Sequence, residues 1–276
     1  MSRTLITVAP TGAEIDKAGC PQLPTTLDEL VAEARACEAA GAAMIHVHIR
    51  DAEHRPTLDL GRLRETVVAL RENTALIVQL STGGSVHDPL DARLAVLEAE
   101  PDSCSLTCGT VNFGDDVFSN PWPFMAELYR RTQFTGVVPE FELFDLGQVT
   151  SMARLLEEFG PPAGGRVHAD FVLGVPGGLP ATVPALVAGV QALPAGVTSW
   201  SATGIGRGHL PVLAASLAMG GHLRVGMEDN TFYAPRRPVT GNAELVARAA
   251  ALASTLQRPA MSAVEARELI GLPALL

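Results

Sequence analysis

Two histidines, His46 and His48, stand one residue apart in the run AAMIHVHIRD of residues 42–51. Alternate residues of a strand share a face, so both imidazoles point the same way. Neutral imidazole is a common ligand for zinc and similar divalent ions. A second run, GGHLRVGMEDN at residues 220–230, begins like a strand and ends in two carboxylates and an amide. Placed beside the first, it lets Glu228 complete a set of two histidines and one carboxylate. Such a set leaves a coordination position open, as metal catalysis requires. An HxH pair alone also fits two strand histidines satisfied by their neighbours. The acidic ending of the second run favours the metal.

These residues need elements to hold them. Strand-like apolar runs occupy residues 4–9, 43–49, 75–80, 103–107, 136–141, 168–173, 197–202 and 222–225. Stretches with helical spacing follow at 25–40, 60–71, 89–99, 121–131, 146–159, 181–193, 210–219 and 242–257, and 262–270 reads as one extra helix. Strand and helix alternate about eight times at the ~30-residue spacing of βα units. The strands read as nearly continuous apolar runs, as expected when both faces are covered. The pattern predicts a single (β/α)₈ TIM barrel domain over residues 1–276, with an extra C-terminal helix. A doubly wound open sheet is the second choice. The absence of a GxGxxG after the first strand weakens its dinucleotide-binding form.

In that barrel the unusual polar residues fall at the strand ends. Glu14, the HxH pair, Ser81-Thr82-Gly83-Gly84, Thr107, Glu142, Arg207, and Glu228 with Asp229 all follow or end a strand. Barrel enzymes build their sites at this rim. Ser81, Thr82 and the backbone up to Gly84 could present donors to a carboxylate. Arg207 could supply positive charge for a phosphate after the seventh strand. Arg224 lies inside the eighth strand and needs a partner, for which Asp229 or a substrate carboxylate is the natural choice.

Composition narrows the class. The chain has 276 residues, 47% hydrophobic and 18% charged, with a formal net charge of −10. This acidic balance argues against non-specific nucleic-acid binding. Cys20, Cys37, Cys104 and Cys108 form no CxxC pair, which points to reduced thiols. No targeting pattern opens the chain and no apolar run is long enough to span a membrane, so a soluble cytoplasmic protein is expected.

Taken together, HVHIRD, STGG, EFELFD at 140–145, FVLGVPGG at 171–178, GIGR and GGHLRVGMEDN resemble the β-keto acid cleavage enzyme family, of the 3-keto-5-aminohexanoate cleavage type. The motifs come in the family's order over almost the whole chain. The resemblance implies a zinc-dependent barrel, usually a homotetramer. Its reaction condenses a β-keto acid with acetyl-CoA, giving acetoacetate and a new acyl-CoA. It implies that His46, His48 and Glu228 hold Zn²⁺ or another divalent ion. Glu14, Ser81 or Thr82, Gly84, Thr107, Glu142, Arg224 and Asp229 match positions that bind or act on substrate. The run Ser105-Leu106-Thr107 departs from the family's frequent Ser-Leu-Asn. Asp229, tuned by Arg224, is expected to be the base, with desolvation offsetting the arginine's effect. Two other readings remain: a metal-dependent aldolase or lyase working without CoA, and a non-catalytic metabolite-binding or zinc-storage barrel.

Overall fold

The computed structural model describes residues 2–274. Eight parallel strands close into a barrel in sequential order. They are β1 (Ile6–Val8), β2 (Met44–Val47), β3 (Ile77–Leu80), β4 (Ser103–Thr107), β5 (Val138–Leu143), β6 (His168–Leu173), β7 (Ser199–Gly204) and β8 (His222–Val225). The helices are α1 (Leu27–Ala40), α2 (Leu60–Asn73), α3 (Leu90–Ala95), α4 (Trp122–Thr135), α5 (Leu146–Phe159), α6 (Val183–Ala192), α7 (His209–Ala218), α8 (Asn242–Thr255) and α9 (Ala263–Ile270). The expected barrel with an added terminal helix is therefore the observed fold.

Local chemistry sets the element limits. Thr26 starts α1 through a capping box with Glu29, and Gly41 ends it in the left-handed conformation. Gly136 does the same for α4, so the fifth strand begins at Val138, two residues later than the apolar run suggests. Val197 is tied into a turn by its N–H bond to the Pro194 carbonyl, which delays β7 to Ser199. Three short hairpins escape the sequence pattern: Ile49–Arg50 with Pro56–Thr57, Val111–Phe113 with Asp116–Phe118, and Phe232–Ala234 with Arg237–Pro238.

Burial divides the barrel into three zones. Outward residues such as Ile6, Ile45 and Leu223 pack against α1, α2 and α8, while Leu106, Phe141 and Phe171 pack against α4 and α5. At the N-terminal end Leu5, Met44, Ile77 and Val138 meet Ala266 and Ile270 of α9, which closes the floor. The barrel interior above that floor differs from the expected continuous apolar runs. Gln79, Ser103, Glu140, His168, Asp170 and Ser201 are all buried there. They alternate with apolar outward residues, and hydrogen bonds among them satisfy much of the buried polar surface.

Candidate active site

The sequence-expected residues meet at the C-terminal mouth of the barrel. A cavity of about 660 Å³ there is lined by Glu14, His46, His48, Ser81, Gly84, Glu142, Arg224, Glu228 and Asp229. β2 projects His46 inward, and His48 follows just beyond the strand, with ring centroids 5.2 Å apart. Glu228 Oε1 lies 3.9 Å from His46 Nε2 and 3.7 Å from His48 Nε2. One ligand atom from each of the three residues lies within 4.8 Å of the others.

The first loop must pass tightly against this cluster. Gly12 has φ +63°, and a Cβ there would lie 2.6 Å from Glu228 Cγ. Glycine is needed for both reasons. Arg50, the arginine of HVHIRD, clamps the same loop by donating to the carbonyls of Gly12 and Ile15 at 2.6 and 2.8 Å. Neither Arg50 nor Gln79 has a role that the sequence pattern shows. Gln79 Oε1 lies 2.6 Å from His46 Nδ1, and its amide donates to Ser103 and Glu140. The amide oxygen can only accept, so His46 carries its proton on Nδ1 and turns a bare Nε2 toward Glu228.

Arg224 is the electrostatic centre. It donates to Glu142 at 2.9 Å, to Glu228 at 2.5 Å, and to both oxygens of Asp229 at 3.2 Å. Asp229 was the partner expected for it; Glu142 and Glu228 come in addition. Burial pushes the Glu228 carboxyl up, but Arg224, by its charge and its hydrogen bond, is the main cause that holds it down at about 2. Asp229 goes the other way. Burial, helped by the charge of Glu228, overcomes Arg224 and raises it to about 6. Burial also lowers both histidines, outweighing Glu228, so they stay neutral, the form in which imidazole can bind a metal.

This set fits a divalent cation. Glu228 Oε2 is buried without a hydrogen-bond partner. Three carboxylates share one guanidinium, and a positive ion beside two neutral imidazoles offsets the excess.

The hydroxyls separate. Ser81 lines the cavity with Gly83 and Gly84. Thr82 instead donates to the Ser105 carbonyl at 2.7 Å and does not line it. Thr107 lies one layer back, donating to Glu142 at 2.9 Å. Glu14 is exposed at the rim. Opposite the histidines the wall is apolar: Val86, Phe113, Phe118, Phe144, Val172 and Val175.

The comparisons with known proteins identify the family. The sequence signature described as beta-keto acid cleavage enzyme matches residues 3–272. The chain belongs to the beta-keto acid cleavage enzyme family. It is 36% identical over 276 residues to the 3-keto-5-aminohexanoate cleavage enzyme of Acetoanaerobium sticklandii, covering 99% of each chain. It is 33% identical over 274 residues to the 3-oxoadipate:acetyl-CoA acetyltransferase of Cupriavidus necator, covering 98% of this chain and 95% of that one. A barrel of the same fold is seen in the ternary complex of ObcA with a C4-CoA adduct and oxalate. That structure shares the fold at a TM-score of 0.82 and 21% identity, covering 91% of this chain and 68% of its own. As a beta-keto acid cleavage enzyme family member, the chain is an enzyme. Among the described residues no helix is long and apolar enough to cross a membrane.

Proposed function

We propose that this family member exchanges acyl groups between a β-keto acid and acetyl-CoA, releasing acetoacetate and a new acyl-CoA. The observation that carries this reading is the buried Asp229, held by Arg224, set beside a two-histidine, one-carboxylate cluster in a single cavity. The C. necator relative, whose name states an acetyl-CoA acetyltransferase, supports the choice of co-substrate.

A Zn²⁺ or similar ion held by His46, His48 and Glu228 would act as a Lewis acid toward the keto oxygen. The chain's own residues do the rest. Ser81 and the glycine backbone beside it hold the substrate carboxylate. Asp229 takes a proton from the carbon between carboxylate and ketone. That carbon attacks the thioester carbonyl and the CoA thiolate leaves. The thiolate then adds to the original ketone carbon, and the bond to the central carbon breaks. Acyl-CoA departs, and Asp229 returns its proton to the acetoacetate carbanion. Arg224 and Glu142 keep Asp229 in place. The phenylalanine and valine wall receives the keto acid's tail, which favours uncharged, apolar tails. A cytoplasmic homotetramer of single-domain chains, 276 residues each, belongs to the same proposal.

A panel of β-keto acids with graded tails, each incubated with acetyl-CoA, tests the reading. Acetoacetate should form, fastest from apolar tails. Cleavage at the same rate without acetyl-CoA would favour the lyase reading instead.

Three substitutions probe the supporting residues. Ser81→Ala should raise the keto acid KM about tenfold, the scale of a lost hydrogen bond to a charged group. Thr82→Ala should leave that KM unchanged and lower stability by about 1 kcal/mol, because only its bond to Ser105 is lost. Gln79→Leu should weaken metal affinity about 10- to 100-fold, as removal of a histidine's outer partner does. Competition with a chromogenic chelator measures it. An unchanged affinity would show that Gln79 does not orient His46.

A further inference from the structure

A second groove opens from the catalytic cavity, sharing Ile15, Ile205 and Asp229 with it. It measures about 1500 Å³ and runs between the turn after β7 and the Phe232–Ala234 hairpin. Its chemistry is opposite to that of the acidic chain. Arg207, Arg236 and Arg248 all line it. Among the described residues none of the three forms an ion pair with a carboxylate. Arg237, next along the hairpin, is paired with Glu244.

The details suit a long anionic ligand. Arg207 rises from the short helical turn Gly206–Gly208, directly before the N-terminus of α7. Arg236 sits at the hairpin tip with φ +64°, where glycine or asparagine would be less strained. Arg248 stacks on Tyr233 at 4.1 Å, and its Nε is buried without a hydrogen-bond partner. Phe232 on the same hairpin is 57% exposed, an open face for an aromatic base. Another arginine-lined pocket, at the floor of the barrel, lacks this character because Arg71 and Arg267 are both spent on Asp102.

We propose that this groove binds the phosphate-bearing nucleotide end of coenzyme A. Arg207 and Arg236 hold its phosphates, Arg248 closes the inner end, and Phe232 packs against the adenine. The pantetheine arm runs past Ile15 and Ile205 to bring the thioester to Asp229. The keto acid tail occupies the opposite, aromatic side. This assignment rests on the proposed use of acetyl-CoA.

The test is the metal-loaded Arg207→Ala, Arg236→Ala double variant, whose two substitutions lie at exposed positions. CoA binding is measured by calorimetry, and KM with acetyl-CoA and with acetyl-pantetheine, which lacks phosphate and base. The groove assignment expects CoA affinity to fall and the acetyl-CoA KM to rise about 10- to 100-fold, as for lost charge-assisted bonds. The acetyl-pantetheine KM should shift far less. If acetoacetate forms but CoA affinity is indifferent to the variant, or both thioesters shift equally, the groove is not the nucleotide site and the reaction stands. If CoA binds through these arginines but no β-keto acid gives acetoacetate, the reaction falls and the groove stands. No CoA binding by the wild type overturns both.

Discussion

Asp229→Asn is expected to keep the fold and the metal site while kcat drops by ~10²–10⁴, the usual range for loss of a general base. The amide nearly matches the carboxylate in shape, so packing around it survives. It can still accept one bond from Arg224, but it cannot take a proton at neutral pH. The structure sharpens the expectation from sequence. Arg224 alone would have made Asp229 too weak a base. Burial and the neighbouring Glu228 more than offset it, leaving a carboxyl near 6. A rate within about threefold of wild type, well below the general-base range, would remove Asp229 from that role. Arg224→Lys should be costly too. One ammonium cannot serve Glu142, Glu228 and both oxygens of Asp229 together.

The His46→Ala, His48→Ala double variant is expected to lose bound metal from about one ion per chain to a trace, and turnover with it. Elemental analysis of the purified protein reads the metal directly. Circular dichroism confirms that the barrel remains, since both rings sit at the mouth rather than in the apolar floor closed by α9. Glu228 without the histidines keeps only Arg224 as a close partner, which is too little to hold an ion. Full metal retention in the double variant would place the ion elsewhere.

Much of the site was legible because its residues break the apolar pattern of their own strands. His46 lies within β2 and His48 just past it, Glu142 stands near the end of β5, and Arg224 sits within β8. The meeting of Glu228 with the histidines could be read as a pairing of two motifs. Closure of the barrel, which brings β8 and β2 to either side of β1, supplies the geometry. Gln79 was harder to see. Its place opposite His46 depends on the register between β2 and β3, which no local pattern fixes. The polar interior was hidden for a related reason. Glu140, His168 and Asp170 look like scattered polar residues until the inward faces of neighbouring strands are superposed. Ser81 and Thr82 could not be separated by type alone. They differ in which side of the chain they leave, and only the bond from Thr82 to Ser105 shows it. The hairpin that carries Arg236 has strands of three and two residues, too short to leave a periodic signal.

Acetyl-CoA carrying ¹³C in both acetyl carbons gives the most direct measurement of the central claim. Incubated with the metal-loaded enzyme and an unlabelled apolar β-keto acid, it should yield acetoacetate labelled only in its acetyl half. An equal amount of unlabelled acyl-CoA should appear, built from the keto acid's own carbonyl and tail. Unlabelled acetoacetate, or cleavage that leaves the labelled acetyl-CoA untouched, would contradict the account.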